Sequence, residues 1–218
     1  MAAENRIYVY MQEDRENQSG KVSLEEGLNL NTRELLAMSL GSLVFYFFVS
    51  TILYYFVIEE SLFSVFFEGS PIWEQTLVGL GAGILCALII LFFSTRPPMK
   101  SVLDDFVIFR IISRSRFSLF DKVQISFFAG LGEELLFRGT IQPLIGIWLT
   151  SVLFIAIHGY ISIKSAGHIL FTVLLLGLSV VLGFLFELSG IIAAMTAHAS
   201  YDFIMLFWAS RRQTREEE

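Results

Sequence analysis

The stretch FAGLGEELLFRGT, residues 128–140, sets Glu133, Glu134 and Arg138 inside a run that otherwise reads as a membrane helix. A charged side chain at the centre of such a helix costs about 2.5–3.5 kcal/mol, so three of them together call for a use. Glu134 and Arg138 stand four apart, on one helix face, and can pair. Glu133 points about 100° away and does not easily share that partner. One carboxylate is thus neutralised and the other is left free, which makes Glu133 a candidate general base. Two further apolar runs supply matching groups. His158 lies in LFIAIHG; His198 and Asp202, again four apart, lie in TAHASYD. At about 1.5 Å of rise per residue, Glu133 falls about 16 Å from the cytoplasmic end of its span. His158 and His198 fall about 16 and 12 Å from the opposite ends of theirs, so all can meet near mid-depth.

The elements that must position these groups are apolar stretches of bilayer-crossing length. They run over 36–58, 75–94, 122–142, 147–163, 167–187 and 190–209. The fold class expected is an all-α, polytopic membrane helix bundle of about six transmembrane helices with a mid-membrane polar cavity. Pro97 and Pro98 end the second stretch; Pro143 and Gly146 break the chain after the third. Residues 99–121 are mixed and basic, and read as an interfacial helix with Phe106, Ile108 and Ile111 toward lipid. Thr32 resembles a helix N-cap. Gly130, Gly132 and Gly139 would let neighbouring helices approach. His168 reads as interfacial and Glu187 as solvated.

The positive charges divide by side. Arg6, Arg15, Lys21, Arg33, Arg96, Lys100, Arg110, Arg114, Arg116, Lys122, Lys164, Arg211, Arg212 and Arg215 fall on one side of this scheme; the opposite loops hold no Lys or Arg. That pattern predicts both termini in the cytoplasm.

The chain has 218 residues, 55% of them hydrophobic and 17% charged, with mean hydropathy +0.66. This is too apolar for an ordinary soluble domain. A formal charge of −6 and the lack of a basic, aromatic-interleaved stripe argue against nucleic acid as a partner. The single cysteine, Cys86, sits in an apolar run, so neither a disulfide nor a thiolate metal site is expected within one chain. No apolar h-region near Met1 predicts a cleaved leader. Glu, His, His and Asp can bind zinc, but the HExxH pattern of metalloproteases is absent, and no GxGD partners Asp202 for aspartyl chemistry. A proton relay or a transporter site stays open on these residues alone.

EELLFR at 133–138, FIAIH at 154–158 and HASYD at 198–202 together resemble the CPBP family of intramembrane proteins. That family includes type II CAAX prenyl endopeptidases and bacterial Abi-type proteins. Its pattern is EExxxR, FxxxH and HxxxN or a related residue, on separate membrane helices. The resemblance implies a metal-independent glutamate protease with no cofactor. Glu133 would activate the water, His158 would help hold it, and His198 with Asp202 would stabilise the oxyanion. Glu134 and Arg138 would be the supporting pair. The prenyl endopeptidases carry Asn where this chain has Asp202. An Asn amide can donate to an oxyanion and an ionised Asp cannot, so Asp202 would be protonated or would orient His198.

The organisation expected is a cytoplasmic N-terminal segment at 1–34, two spans with a basic interfacial segment at 35–121, a CPBP-like catalytic core at 122–209 and a charged cytoplasmic tail at 210–218. The substrate implied is a membrane protein or a lipidated peptide, and the location a multi-pass one, in a bacterial cell membrane. A non-proteolytic immunity or scaffold protein, or a proton-linked transporter, is the competing reading of the same buried cluster.

Overall fold

A computed structural model describes residues 32–106, 115 and 117–216, the side chains of Asp104 and 212–216 excepted. The expectations for residues 1–31 of the N-terminal segment and for Ile108 and Ile111 lie outside the described residues, as do the side chains of the charged tail beyond Arg211. Within them the fold is all helix, with no strand. The helices are α1 Thr32–Leu53, α2 Ile72–Ser94, α3 Leu119–Glu134, α4 Gln142–Ile157, α5 Ala166–Ser189 and α6 Ile191–Glu216. A π-helical turn, Tyr54–Ile58, continues α1, and a second π stretch, Leu135–Ile141, joins α3 to α4.

Five of these helical stretches are long and apolar enough to cross a membrane, against about six expected. The difference lies in Leu119–Ile157, which runs on for 39 residues as hydrogen-bonded helix. It is not straight. Gly146 has φ 79° and ψ 166°, outside helical space and in the region that favours glycine. Arg138 and Phe154 lie eight residues to either side of it, and a straight helix would hold them about 24 Å apart. Instead the Arg138 guanidinium lies 4.9 Å from the centre of the Phe154 ring, and the rings of Phe137 and Phe154 are 5.0 Å apart. The chain therefore doubles back at Gly146, as Pro143 and Gly146 led us to expect.

The returning arm is shorter than the expected span of 147–163. Its helix stops at Ile157, about 16 Å beyond the turn and roughly half the thickness of a hydrocarbon core. Irregular backbone follows, and at membrane depth its polar groups need partners. The Thr172 hydroxyl donates to the Tyr160 carbonyl at 2.7 Å and accepts from the Ser162 N–H at 3.0 Å. The Tyr160 N–H reaches back to the Ile155 carbonyl at 3.0 Å.

α2 runs along α6 in the most extensive helix contact of the bundle. Gly79 and Gly83 make it possible. A Cβ on Gly79 would strike the Ala193 carbonyl and Thr196 hydroxyl, and one on Gly83 the Ala197 carbonyl and Ser200 hydroxyl. This is close backbone packing by small residues four apart. Gln75 ties the same helix to the start of α6: its amide donates to the carbonyls of Glu68 and Ser70 and accepts from the Ile192 N–H.

α3 starts at a capping box the sequence displays as SLFD: the Ser118 hydroxyl accepts from the Asp121 N–H, and the Asp121 carboxylate from the Ser118 N–H. Apolar side chains such as Phe48, Phe56, Leu77, Leu88, Trp148 and Leu149 are exposed around the bundle. Together with the span lengths, they describe an integral, multi-pass membrane protein.

Two expectations near one end of the bundle are corrected. Phe106 does not face lipid; it is 6% exposed and packs on Phe171, with ring centres 4.3 Å apart. Residues 99–106 form short 3₁₀ turns, not an interfacial helix, because Met99, Leu103 and Phe106 bury into the core beside α5. His168, the third residue of α5, is 5% exposed, held between the Ser165 hydroxyl at 2.9 Å and the Asp105 carboxylate at 3.2 Å. Glu187 is exposed as expected, and accepts from the Gln142 amide.

Candidate active site

Helical pitch sends the two neighbouring glutamates to different places. Glu134 turns into the bundle and is 0% exposed, as is Arg138. Its Oε2 lies 3.2 Å from the Arg138 Nε. The far side of that guanidinium donates through Nη2 to the carbonyl and the hydroxyl of Ser179 on α5, at 3.1 and 3.0 Å. The π stretch that holds Arg138 is itself braced: the Tyr54 hydroxyl donates to the Gly139 carbonyl, and the Thr140 hydroxyl to the Leu135 carbonyl. A π-helical stretch at such a place commonly marks a functional site.

The remaining oxygen of Glu134 makes a contact the sequence did not disclose. Its Oε1 accepts from His198 Nδ1 at 2.7 Å, across 64 residues of chain. Glu134 thus faces Arg138 with one oxygen and sets the His198 ring with the other. Asp202, the residue four along from His198, lies farther off: its Oδ2 is 3.6 Å from His198 Nε2, beyond hydrogen-bond range.

Glu133 turns the other way. Its Oε2 lies 3.3 Å from His158 Nε2 and 4.0 Å from His198 Nε2. His158 ends α4, and its Nδ1 sits 2.8 Å from the Phe154 carbonyl. A carbonyl only accepts, so Nδ1 carries the hydrogen and Nε2 is turned to Glu133. The Phe154 ring packs on both imidazoles, 4.4 Å from His158 and 5.9 Å from His198, which fixes their planes. Gly130 brings α3 against α6 at Met195 and Ala199, which bracket His198, and Gly132 meets α1 at Leu43 and Tyr46. Gly139 is different: a Cβ there would find only ordinary contacts, and what it supplies is its carbonyl.

Glu133, His158, His198 and Asp202 all line one cavity of about 280 Å³, with Tyr160, and with Leu175, Leu178 and Leu182 along one wall. Glu134 and Arg138 lie behind it. The structure so brings together all six residues singled out in the sequence. Ser179, Tyr160 and Gln75 were missed. Ser179 and Gln75 are lone polar residues in apolar runs, which is a signal; Tyr160 has none beyond standing two residues after His158. Among the described residues, no three His, Cys, Asp or Glu side chains are grouped to hold a metal ion.

Chemically, the cavity offers a carboxylate with an imidazole beside it, a second imidazole fixed from behind by a buried carboxylate, and apolar walls. That set can take a proton from a water and stabilise charge on an oxygen nearby.

No curated protein and no solved structure matches this chain. A protein-family model does, over a segment that holds all six site residues. Residues 115–204 match the family described as type II CAAX prenyl endopeptidase Rce1-like, a family of proteases and the one the three motifs resemble.

Proposed function

We propose that this chain is an intramembrane endopeptidase that hydrolyses a peptide bond with a water activated by Glu133, without a metal ion. The observation that carries the proposal is the division between the two glutamates. Glu134 is committed to Arg138 and His198, while Glu133 faces a cavity with His158 Nε2 at 3.3 Å.

A water between Glu133 and His158 loses a proton to the Glu133 carboxylate as its oxygen attacks the scissile carbonyl carbon. The carbonyl oxygen becomes an oxyanion, and His198, doubly protonated with Nδ1 on Glu134, donates to it from Nε2. The Asp202 carboxyl lies beside that ring, its Oδ2 3.6 Å from Nε2. Collapse of the intermediate breaks the C–N bond, and Glu133 returns the proton to the leaving amine. A membrane protein or a lipidated peptide suits the apolar walls of the cavity as substrate, and the charge pattern of the loops supports a cytoplasmic side for both termini.

The test is a survey of new peptide termini in membranes of cells that carry the native chain or Glu133→Gln at equal levels. Termini found only with the native chain, and still formed with chelators present, are expected. Loss of a general base costs about 10²–10⁴ in rate. Termini that persist with Glu133→Gln would remove Glu133 from the chemistry. Proton flux dependent on Glu133 without new termini would favour a relay, and a phenotype untouched by Glu133→Gln a scaffold or immunity role.

A further inference from the structure

We propose that the Tyr160 hydroxyl is a second hydrogen-bond donor to the carbonyl oxygen of the scissile peptide, beside His198. This rests on the endopeptidase reading and assigns that reaction a further catalytic residue.

The local fold fixes Tyr160 tightly. α4 ends at His158, and Gly159, at φ 70°, turns the chain so that the next side chain comes back over the helix end. The Tyr160 ring then stacks on the His158 imidazole, with centres 5.5 Å apart and planes 15° from parallel. Its edge meets Phe171 at 5.8 Å and Phe106 at 6.5 Å. Its N–H bonds the Ile155 carbonyl and its C=O accepts from Thr172. Backbone and ring are thus held on three sides, and the ring forms part of the cavity wall with Glu133, His198 and Asp202.

Packing accounts for an aromatic ring here, but not for the hydroxyl. Phenylalanine would stack equally well. Among the described residues no protein group is hydrogen-bonded to the Tyr160 hydroxyl, in a cavity with largely apolar walls. The half-buried hydroxyl is thus left to a ligand or water in the cavity.

The other polar groups show why a donor is needed there. Glu133 and Asp202, when ionised, only accept. His158 spends Nδ1 on the Phe154 carbonyl and turns Nε2 to Glu133. The Ser39 and Ser42 hydroxyls at the α1 edge donate to the carbonyls of Leu36 and Met38. His198 Nε2 is then one donor for a developing oxyanion, and one is few for such a charge. Tyr201 also lines the cavity, yet no ring contact ties it to either histidine, whereas Tyr160 is fixed on the face of His158.

The experiment uses the full chain in detergent and peptides spanning the termini whose formation depends on Glu133. Native, Tyr160→Phe and Glu133→Gln chains are compared for kcat and KM, with 3-fluorotyrosine introduced at 160 as the conservative variant. Tyr160→Phe is expected to lower kcat by about 10²-fold with KM within about twofold, the signature of one lost oxyanion donor. The fluorinated residue keeps its O–H and restores kcat. If Tyr160→Phe stays within about twofold of native kcat while Glu133→Gln is inactive, the residue is packing only and the inference is overturned, the endopeptidase reading standing. If Glu133→Gln cleaves as the native chain does, that reading falls and this inference with it.

Discussion

Replacing Arg138 by Met should be among the most damaging changes this bundle can suffer, and adding Glu134→Met should largely undo the damage. Arg138 and Glu134 are both 0% exposed, and among the described residues the guanidinium is the one partner of the Glu134 Oε2. Arg138→Met takes the guanidinium from the buried Glu134 carboxylate and leaves it with the His198 Nδ1–H, a cost of about 3–5 kcal/mol. It also leaves the Ser179 hydroxyl without its buried partner. Taking about 4 kcal/mol, the folded-to-unfolded ratio falls roughly a thousandfold, and the melting temperature by about 8–16 °C for a chain of this size. Removing both charges exchanges the pair for apolar volume, which is often neutral or stabilising. The coupling between the two changes should then be about 2 kcal/mol or more. Activity should not return with stability, because the double variant also strips His198 of its Nδ1 partner. Thermal unfolding in detergent can be followed with a thiol-reactive fluorophore, since Cys86 is the single cysteine and half-buried. A loss under about 1 kcal/mol in Arg138→Met, the range of exposed pairs, would refute this reasoning. So would a double variant as unstable as the single one.

Gly83→Val should separate α2 from α6, because its Cβ has nowhere to go but the Ala197 carbonyl; the same assay should show a loss of several kcal/mol, about 3 or more, or no folded chain. Gly81→Ala, with open space around it, should be neutral or gain up to about 1 kcal/mol. Thr172→Val removes the hydroxyl that serves Tyr160 and Ser162 and keeps the shape; it should cost about 1–3 kcal/mol and depress the rate of Glu133-dependent terminus formation more than a stability loss of that size explains. Gly146→Ala should cost about 1–3 kcal/mol, because φ 79° with ψ 166° is backbone that glycine alone adopts readily, with no steric clash to add.

What could be read from the sequence follows from what a helix makes periodic. Glu134 and Arg138 pair at i, i+4, and Glu133 diverges from them, because 3.6 residues per turn dictates both, and the structure has each where the pitch puts it. Counting rise from the span ends brought Glu133, His158 and His198 to a common depth, and their atoms do meet. The same counting failed where a span was not a whole helix. The run 147–163 has the composition of a crossing, yet helix stops at Ile157, since Thr172, on the next helix, offers the following backbone the hydrogen bonds that a longer α4 would have supplied. Contacts across the bundle were out of reach for a different reason. Glu134 to His198, and Arg138 to Ser179, depend on how whole helices are rotated and docked, which no local period encodes. Docking had local signs in glycines: Gly130 and Gly132, expected at helix contacts, lie against α6 and α1, and Gly79 and Gly83, four apart in GLGAG and not singled out in the sequence, mark the face on which α2 meets α6. That contact lies on the helix of His198, so the geometry of the site leans on a span outside the 115–204 match. The chemistry is therefore written in three short motifs, and its alignment in glycines and lone polar residues that carry no charge at all.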